Sequence, residues 1–247
     1  MNPISFKSTF IKPINIEKLD SDDKYKPIKA NFVELDKNDT EVLKKTIQNW
    51  KEYDKHTVFD FTRTSLTPLE IMNTEKEKFL PLTKEMNPKD IPAFLTSKVP
   101  GLHVYAVTTQ KDKFAKLESD KILGLVKFIA CEQCNEIVLL QTKPDCISKK
   151  YDKTVFSSLK EKMNKIFGIK NKENKRPYRN IGYSIVETLK EMHSDKMMEL
   201  TPLNRAIGFY KQLGFNLNLD TYCEYVWVPP EKRRPGINYE HDISGRI

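Results

Sequence analysis

Three strand-like segments follow one another between residues 103 and 142, and their connections limit the folds open to the chain. Residues 103–108, 121–130 and 136–142 are each rich in β-branched, aromatic and aliphatic side chains. Residues 131–135 alone separate the second segment from the third, and a link this short joins antiparallel neighbours. A purely parallel, doubly wound sheet is therefore excluded.

A strand and several helices are predicted before residue 103. Residues 29–35 have the pattern of a strand, and Asn38, with Glu41 three residues later, predicts the N-cap of a helix. The apolar face of that helix is formed by Val42, Leu43, Ile47 and Trp50. Five prolines between residues 53 and 100 allow only short helices, around Leu69 and Phe94.

Helices and strands alternate after the run. Apolar side chains recur at helical spacing over residues 151–167, with lysines on the opposite side, and a polar loop follows. The pattern then predicts a helix over 182–192, a strand over 196–201, a helix over 204–213 and a strand over 222–228. The fold class is therefore α/β, with one mixed, mostly antiparallel twisted sheet flanked by helices.

The two ends of the chain differ from this central region. Residues 1–28 contain three prolines and no clear periodicity, so they are interpreted as an arm laid over the surface. Residues 29–228 would then form one domain, and residues 229–247, after two prolines, a solvated tail.

Charge and cysteine content indicate little about a partner. The 42 basic and 34 acidic residues give a net charge of +8, but only seven of the basic residues are Arg, and the Lys residues are scattered. Four Cys are too few for a disulfide scaffold. No apolar run is long enough for a leader or a membrane span, so we expect a cytoplasmic protein with no membrane partner.

The most informative segment is residues 178–184, a polar turn with a glycine that leads into an apolar-periodic helix. Such a turn directs free backbone N–H groups and the positive end of a helix dipole at one anion. Gly182 has no Cβ and lets a ligand approach the backbone closely. The alternative is an ordinary helix start.

Two motifs at these positions resemble signatures of the GNAT superfamily of N-acetyltransferases. Arg179, Gly182 and Ser184 occupy the marked positions of its Arg/Gln-x-x-Gly-x-Gly/Ala loop, with Ser in place of the usual small residue. Residues 204–215 resemble its Asn-x-x-Ala-x-x-Phe-Tyr signature followed by Leu-Gly-Phe, although Ala206 falls one position early. Two signatures in order are more specific than one.

The sequence departs from the family pattern before the loop. Thirty-four residues separate Pro144 from Arg179, where the family has only a few. We interpret residues 145–177 as a helical insertion that leaves the loop intact. The alternative is a degenerate member that binds CoA or a partner without catalysis.

The resemblance implies an acetyl-CoA site built largely from backbone. The pyrophosphate would lie on the amides of residues 180–184 beside Arg179, and the pantetheine would run along residues 138–142 as a pseudo-strand. The implied cofactor-binding residues are Val138, Leu139, Leu140, Gln141, Thr142, Arg179, Asn180, Ile181, Gly182, Tyr183, Ser184, Asn204 and Tyr210. Arg179 has the alternative of a solvated surface residue, and Asn204 that of an N-cap.

The resemblance also implies direct attack by a primary amine on the thioester in a ternary complex. Tyr210 matches the family's proton donor to the leaving thiolate, since a phenol with a pKa of about 10 is protonated at neutral pH. The base would be Glu136, with Glu132 as second choice, and the oxyanion donor a backbone amide near Leu139 and Leu140. The alternatives are a core aromatic for Tyr210 and turn charges for the two glutamates.

The acceptor amine has no motif. The Lys excess favours a protein N-terminus, a Lys in an acidic setting or a small anionic amine over a polyamine or a basic peptide. A nucleic-acid-binding module is the competing hypothesis, based on a pI of 9.1 and the basic residues 232–234, but it has no recognisable motif.

Cysteines and histidines do not predict a metal site. Cys131-x-x-Cys134 has no second ligand pair at zinc spacing, and an ordinary turn explains it better. The four His residues are dispersed, with His103 at a strand start, His193 at a helix end and only His56 considered near an acceptor pocket.

Overall fold

The computed structural model describes residues 8–53, 101–112, 115–132, 134–147, 175–203, 206–221, 224–235, 237 and 239. In this part of the chain nine strands form one sheet in the order β6-β1-β2-β3-β4-β5-β7-β9-β8. The strands are β1 (Thr9–Leu19), β2 (Tyr25–Glu34), β3 (Leu102–Thr108), β4 (Ile122–Ile129), β5 (Cys134–Thr142), β6 (Tyr178–Arg179), β7 (Met197–Leu200), β8 (Asn216–Leu217) and β9 (Tyr225–Trp227). The α-helices are α1 (Thr40–Tyr53), α2 (Ile181–Met192) and α3 (Ile207–Gln212).

All paired strands are antiparallel except β5 and β7. The predicted strands over 103–108, 121–130 and 136–142 are confirmed as β3, β4 and β5, and the last two form the predicted antiparallel hairpin. The mixed α/β class is therefore confirmed.

The sheet has a buried core on each face. The α2 face packs α2 and α3 residues such as Ile185 and Tyr210 against strand residues such as Phe32 and Phe128. The α1 face packs Leu43 and Trp50 of α1 against Val104, Leu125 and their neighbours. Because side chains alternate along a strand, each central strand contributes to both cores. Near β9 a smaller cluster joins Val226, Val228 and Tyr239.

The prediction of an N-terminal surface arm is wrong for the described part of residues 1–28. Residues 9–19 form β1, which pairs with β2 along its length, and β2 begins at Tyr25. Ile14 and Ile16 are buried and alternate with the exposed Asn15 and the half-buried Glu17. This alternation was present in the sequence, but the prolines on either side of it were interpreted as breakers.

Helix α1 begins differently from the prediction. Asp36, rather than Asn38, caps a 3-10 turn over Lys37–Asp39 that leads into the helix. The Asp36 carboxylate accepts from the Asn38 amide at 2.6 Å, and the Asp39 carboxylate accepts from the Asp36 amide at 3.0 Å, which makes a capping box. Burial raises the pKa of Asp39 to about 6. The predicted apolar face is buried as expected.

The C-terminal part also departs from expectation. α3 starts at Ile207, β9 is shorter than the predicted 222–228, and the short strand β8 was not predicted. The prediction of a solvated tail is wrong for Tyr239, whose side chain is buried against β9 and whose hydroxyl accepts from the Arg234 amide at 3.0 Å. The Asn216 side chain donates to the Tyr239 carbonyl.

Several predictions lie outside the described residues. They are the short helices around Leu69 and Phe94, the helix over 151–167 with most of the 145–177 insertion, the residues Asn204, His56 and His241, and the predicted tail beyond residue 239. Within the described ranges, no helix combines the length and the apolar character needed to cross a membrane.

Candidate active site

The parallel strands β5 and β7 stay paired over only three residues. Their ladder joins Cys134–Glu136 to Met197–Glu199 and ends there, whereas β5 continues along β4 to Thr142. We call the place where the two strands separate, marked by Glu136 and Glu199, the fork. Beyond it, the described part of the chain offers residues 138–140 a strand neighbour on the β4 side alone.

A bulge lies directly beyond the fork. The β4–β5 register moves from Phe128 opposite Ile137 to Lys127 opposite Leu139, so Val138 has no residue opposite it. A bulge interrupts the regular ladder and turns the strand. Leu139 then packs against the α1-face core and Leu140 against the α2-face core. The strand segment that the sequence predicts for pantetheine thus begins with this distortion.

The start of α2 presents backbone donors. Asn180 has a left-handed conformation with φ of 63°, and its side chain makes no capping hydrogen bond. The first helical bond runs from the Ser184 amide to the Asn180 carbonyl at 2.9 Å. The amides of Ile181, Gly182 and Tyr183 precede that bond, and the described residues provide no acceptor for them. An anion would satisfy them.

Ser184 has a role that the sequence did not predict. Its hydroxyl donates to the Asn15 carbonyl of β1, so the side chain ties α2 to the sheet. Its amide is already used within the helix. The predicted cradle of amides from 180 to 184 therefore loses that of Ser184, and the helix start itself offers those of Ile181, Gly182 and Tyr183. The sequence offered no sign of this bond, because β1 was interpreted as an arm.

Arg179 is held against an aromatic ring. It belongs to β6, where it lies opposite Glu17 of β1. Its guanidinium carbon lies 3.5 Å from the centre of the Tyr25 ring, and the Tyr25 hydroxyl donates to the Arg176 carbonyl at 2.8 Å. The buried Arg179 Nε has no hydrogen-bond partner among the described residues. The alternative of a freely solvated Arg179 does not fit this packing.

Three of the predicted elements meet at Gly182. A Cβ placed on Gly182 would lie 3.3 Å from the Phe209 ring of α3 and 3.7 Å from the Thr142 methyl group of β5. The turn before α2, the end of β5 and the helix that carries Tyr210 are therefore in contact. A second glycine, Gly124 of β4, lets the start of α2 lie this close to the sheet, since its own Cβ would be 2.8 Å from Ile181.

Glu136 has an unusual electrostatic environment. Burial, and then the nearby carboxylates of Glu199 and Glu224, raise its pKa to about 7, while Lys127 acts in the opposite direction. Lys127 is 3% exposed, and burial lowers its pKa to about 8. Burial and Glu224 also raise the pKa of Glu199. A carboxylate of this kind is poised to take up a proton near neutral pH.

Glu132, the second choice for a base, lies elsewhere. It is an exposed residue of the turn between β4 and β5, before the ladder with β7 begins. The fork and the bulge are at the other end of that ladder. Glu136 therefore fits the role better than Glu132.

Tyr210 lies on the α2 face. Its side chain is buried, with the ring edge-on to Phe209 at 4.9 Å and to Phe215 at 5.8 Å, as the core alternative predicts. Burial raises the pKa of its phenol, which keeps it protonated. Packing in the core and donation of the phenolic proton are compatible roles.

Cys134, His103 and His193 each have a local contact. Cys134 is a free thiol that shares a hydrogen bond with Glu199, and burial raises the pKa of the thiol. His103 Nδ1 lies 2.7 Å from a Glu34 oxygen, and His193 ends α2 with its ring 4.7 Å from that of Phe128. No group of three metal-ligating side chains suited to an ion occurs within the described ranges.

A cleft of about 360 Å³ lies apart from the fork, between β1 and α2. Asn180, Tyr183 and Ser184 line it, and its charged lining residues are Lys12, Glu17, Glu187 and Glu191. Lys12 is paired with Glu191. Three carboxylates against one ammonium disfavour a phosphate there, so the cleft is not where we place an anion.

Comparisons with known proteins find little at the sequence level. No protein-family model and no curated protein matches the chain. Among solved structures, a PaiA N-acetyltransferase from Thermoplasma acidophilum, in complex with coenzyme A, is 14% identical, with a TM-score of 0.37. The alignment covers 81% of this chain and 97% of that one.

Replacing Gly182 with Ala tests the amides. The added methyl group would occupy the space between the turn, Phe209 and Thr142. If this turn holds the CoA pyrophosphate, as the sequence motifs imply, the Kd for CoA should rise about tenfold, which corresponds to the loss of roughly one charge-assisted hydrogen bond. Isothermal titration calorimetry measures this.

Gly208→Ala provides the matched control. Gly208 lies in α3 with no atom within 4 Å of a Cβ placed there. Alanine should therefore keep CoA affinity and stabilise the protein by about 0.5–1 kcal/mol. Equal Kd values for the two variants would contradict an anion site at Gly182.

Proposed function

We propose that the protein is an acetyl-CoA-dependent N-acetyltransferase of the GNAT type that acetylates a primary amine. The observation that carries the proposal is the meeting of three features: the end of β5 beyond the fork, the uncapped start of α2 and the helix with Tyr210, in contact through Gly182. Each feature has one of the three roles that the sequence motifs imply.

The chain's own groups fit CoA. The amides of Ile181, Gly182 and Tyr183 would hold the pyrophosphate at the positive end of the α2 dipole, with Asn180 and Arg179 beside them. Residues 138–142 would bind the pantetheine amides through backbone groups, as an added strand does. When bound, acetyl-CoA supplies an acyl group activated as a thioester.

Glu136 would act as the base. An alkyl ammonium with a pKa of about 10.4 must lose a proton before its nitrogen attacks, and Glu136 can accept that proton directly or through water. A backbone amide near Leu139 and Leu140, at the bulge, would stabilise the developing oxyanion. Tyr210 would give its phenolic proton to the departing thiolate.

The fork also bears on the acceptor. Glu136, Glu199 and Glu224 influence one another, with Lys127 as the opposing charge. Carboxylates attract an alkyl ammonium and repel a carboxylate or phosphate on the acceptor. Of the acceptors expected from the sequence, we therefore propose a protein N-terminus or a Lys side chain rather than a small anionic amine.

Two assays on the purified 247-residue chain test the function. Acetyl-CoA, at 100 times its Kd, should stabilise the protein by about 2.7 kcal/mol in thermal unfolding, whereas free pantetheine, which lacks the phosphates, should have far less effect. A screen over peptides, polyamines and aminoglycosides then measures acetyl transfer. If millimolar acetyl-CoA does not shift the thermal unfolding, the protein does not bind CoA and the proposal is wrong. A shift without acetyl transfer to any amine would indicate the non-catalytic alternative.

Tyr210→Phe tests the proton donor. The variant keeps the ring that packs against Phe209 and Phe215 and removes only the hydroxyl. We expect kcat to fall by about 10²-fold, with little change in the KM for acetyl-CoA, because the proton is needed only as the thiolate leaves. An unchanged kcat would assign Tyr210 to the core alone.

A further inference from the structure

Two carboxylates lie directly opposite each other at the last rung of the β5–β7 ladder. Glu136 and Glu199 are register partners, and the strands separate immediately after them. Both point to the α1 face, because Ile137, Met198 and Leu200 belong to the opposite core. Like charges directly opposite on neighbouring strands destabilise a sheet. Packing alone therefore does not explain why two glutamates occupy these paired positions.

The groups that face Glu136 come from four places. Lys127 lies on β4, Cys134 on β5 itself, Glu199 on β7, and Glu224 just before β9. The carboxylates of Glu199 and Glu224 make it harder to ionise Glu136, and Lys127 makes it easier. The Cys134 thiol hydrogen-bonds to Glu199 and so stabilises the charge on that partner. Burial and Glu224 act the other way on Glu199, but its charge still raises the pKa of Glu136.

We propose that Glu199 is a positioning residue of the proposed acetyltransferase, in which its charge across the fork makes Glu136 a stronger base. This inference rests on the proposed function. It assigns Lys127 the opposite effect, since a cation on the other flanking strand weakens the base. The fork thus sets the strength of the base through two neighbours of opposite sign on the two adjacent strands.

Proton transfers accompany the attack of the amine on the thioester. The acceptor nitrogen gives one proton to a Glu136 oxygen and uses its freed electron pair to bond to the acyl carbon. The carbon–sulfur bond breaks, the thiolate takes the Tyr210 proton, and the nitrogen loses a second proton to become an amide, which restores the Tyr210 phenol. Glu136 then releases its proton to solvent. Glu136 must accept its proton from an amine that holds it tightly, so a stronger carboxylate base speeds the step. Glu199 touches none of the reacting atoms.

The pH profile of acetyl transfer tests the proposal. Glu199→Gln removes the like charge that lies opposite Glu136 and so lowers the pKa of Glu136. The acidic limb of kcat/KM should therefore move about one pH unit lower. The plateau rate should also fall severalfold, because the base is weaker. Glu199→Asp keeps the charge and should keep the limb. Lys127→Gln should move it to higher pH, and Glu118→Gln, an exposed substitution of equal charge change, should leave it in place.

A second readout does not depend on turnover. Carbon-13 NMR of the Glu side-chain carboxyl groups, with Glu136→Gln to assign the signal, gives the titration midpoint of Glu136 in each variant. The midpoint should fall in Glu199→Gln and rise in Lys127→Gln. An unmoved midpoint in Glu199→Gln overturns the proposal even if the enzyme is active. Shifted midpoints in a protein that transfers no acetyl group would instead show that the proposed function is wrong and the electrostatic pair real.

Discussion

Glu136→Gln is expected to lower kcat for acetyl transfer at pH 8 by about 10²-fold or more, because general-base catalysis contributes rates of this order. Affinity for acetyl-CoA should stay within a factor of about two, since the proposed phosphate donors lie in the turn before α2 and no Glu136 contact is assigned to them. Steady-state kinetics and calorimetry measure the two effects separately.

The wild-type pH profile belongs to the same prediction. Glu136 acts as a base only when ionised, and its pKa is about 7, so kcat/KM should rise with pH through that value. The residual activity of Glu136→Gln should lack this limb. Glu132→Gln, an exposed glutamate before the ladder, is the matched control and should keep both rate and profile. Loss of activity in Glu132→Gln with retention in Glu136→Gln would reverse the assignment.

Stability gives an independent check on Glu136. Its pKa is raised in the folded state, so the folded chain binds more protons than the unfolded chain between about pH 4.5 and 7. The free energy of unfolding contributed by this group therefore falls as pH rises through that window. Glu136→Gln removes the contribution, so its Tm relative to wild type should be higher at pH 8 than at pH 5.

Local periodicity explains which elements could be predicted from the sequence. β3, β4, β5 and α2 combine clear apolar patterns with glycine or polar boundaries, and they occur close to where expected. β1 was missed because Pro13 and Pro27 hid the alternation around Ile14 and Ile16. A proline within a strand at the border of a sheet carries less information than one in a central strand.

The candidate site likewise has some features that local sequence predicts and others that it does not. The turn with Gly182 and the choice of Glu136 came from motifs and position in sequence. The pairing of Glu136 with Glu199, the bond from Ser184 to Asn15 and the packing of Arg179 on Tyr25 join residues 63, 169 and 154 positions apart. Such contacts depend on strand order and register, and neither follows from local pattern.

Gly124→Val is expected to have the largest effect on the protein as a whole. A Cβ on this β4 residue would lie 2.8 Å from a methyl carbon of Ile181 and 2.9 Å from one of Ile185, closer than carbon atoms pack. The start of α2 would have to move away from the sheet. Overpacking of this kind lowers the free energy of unfolding by about 1–3 kcal/mol, measured by urea denaturation.

The same displacement of α2 should weaken CoA binding in addition to lowering the free energy of unfolding. Gly124 lies opposite Thr142 in the β4–β5 ladder, directly below the turn that carries the three free amides. We therefore expect Gly124→Val to raise the Kd for CoA about tenfold even at temperatures where the variant is folded. Gly124→Ala should produce a smaller loss of both stability and affinity.

A second substitution in this contact distinguishes two effects of the Gly124 variants, a general loss of stability and a displacement of the proposed cofactor site. Ile185→Ala, made together with Gly124→Ala, removes one of the two methyl groups that the new side chain would meet and leaves Ile181 and the turn unchanged. If α2 must lie close to the sheet for its amides to face an anion beside Thr142 and Phe209, the double variant should recover CoA affinity relative to Gly124→Ala alone. Recovery of urea stability without recovery of affinity would mean that the start of α2 does not hold the cofactor.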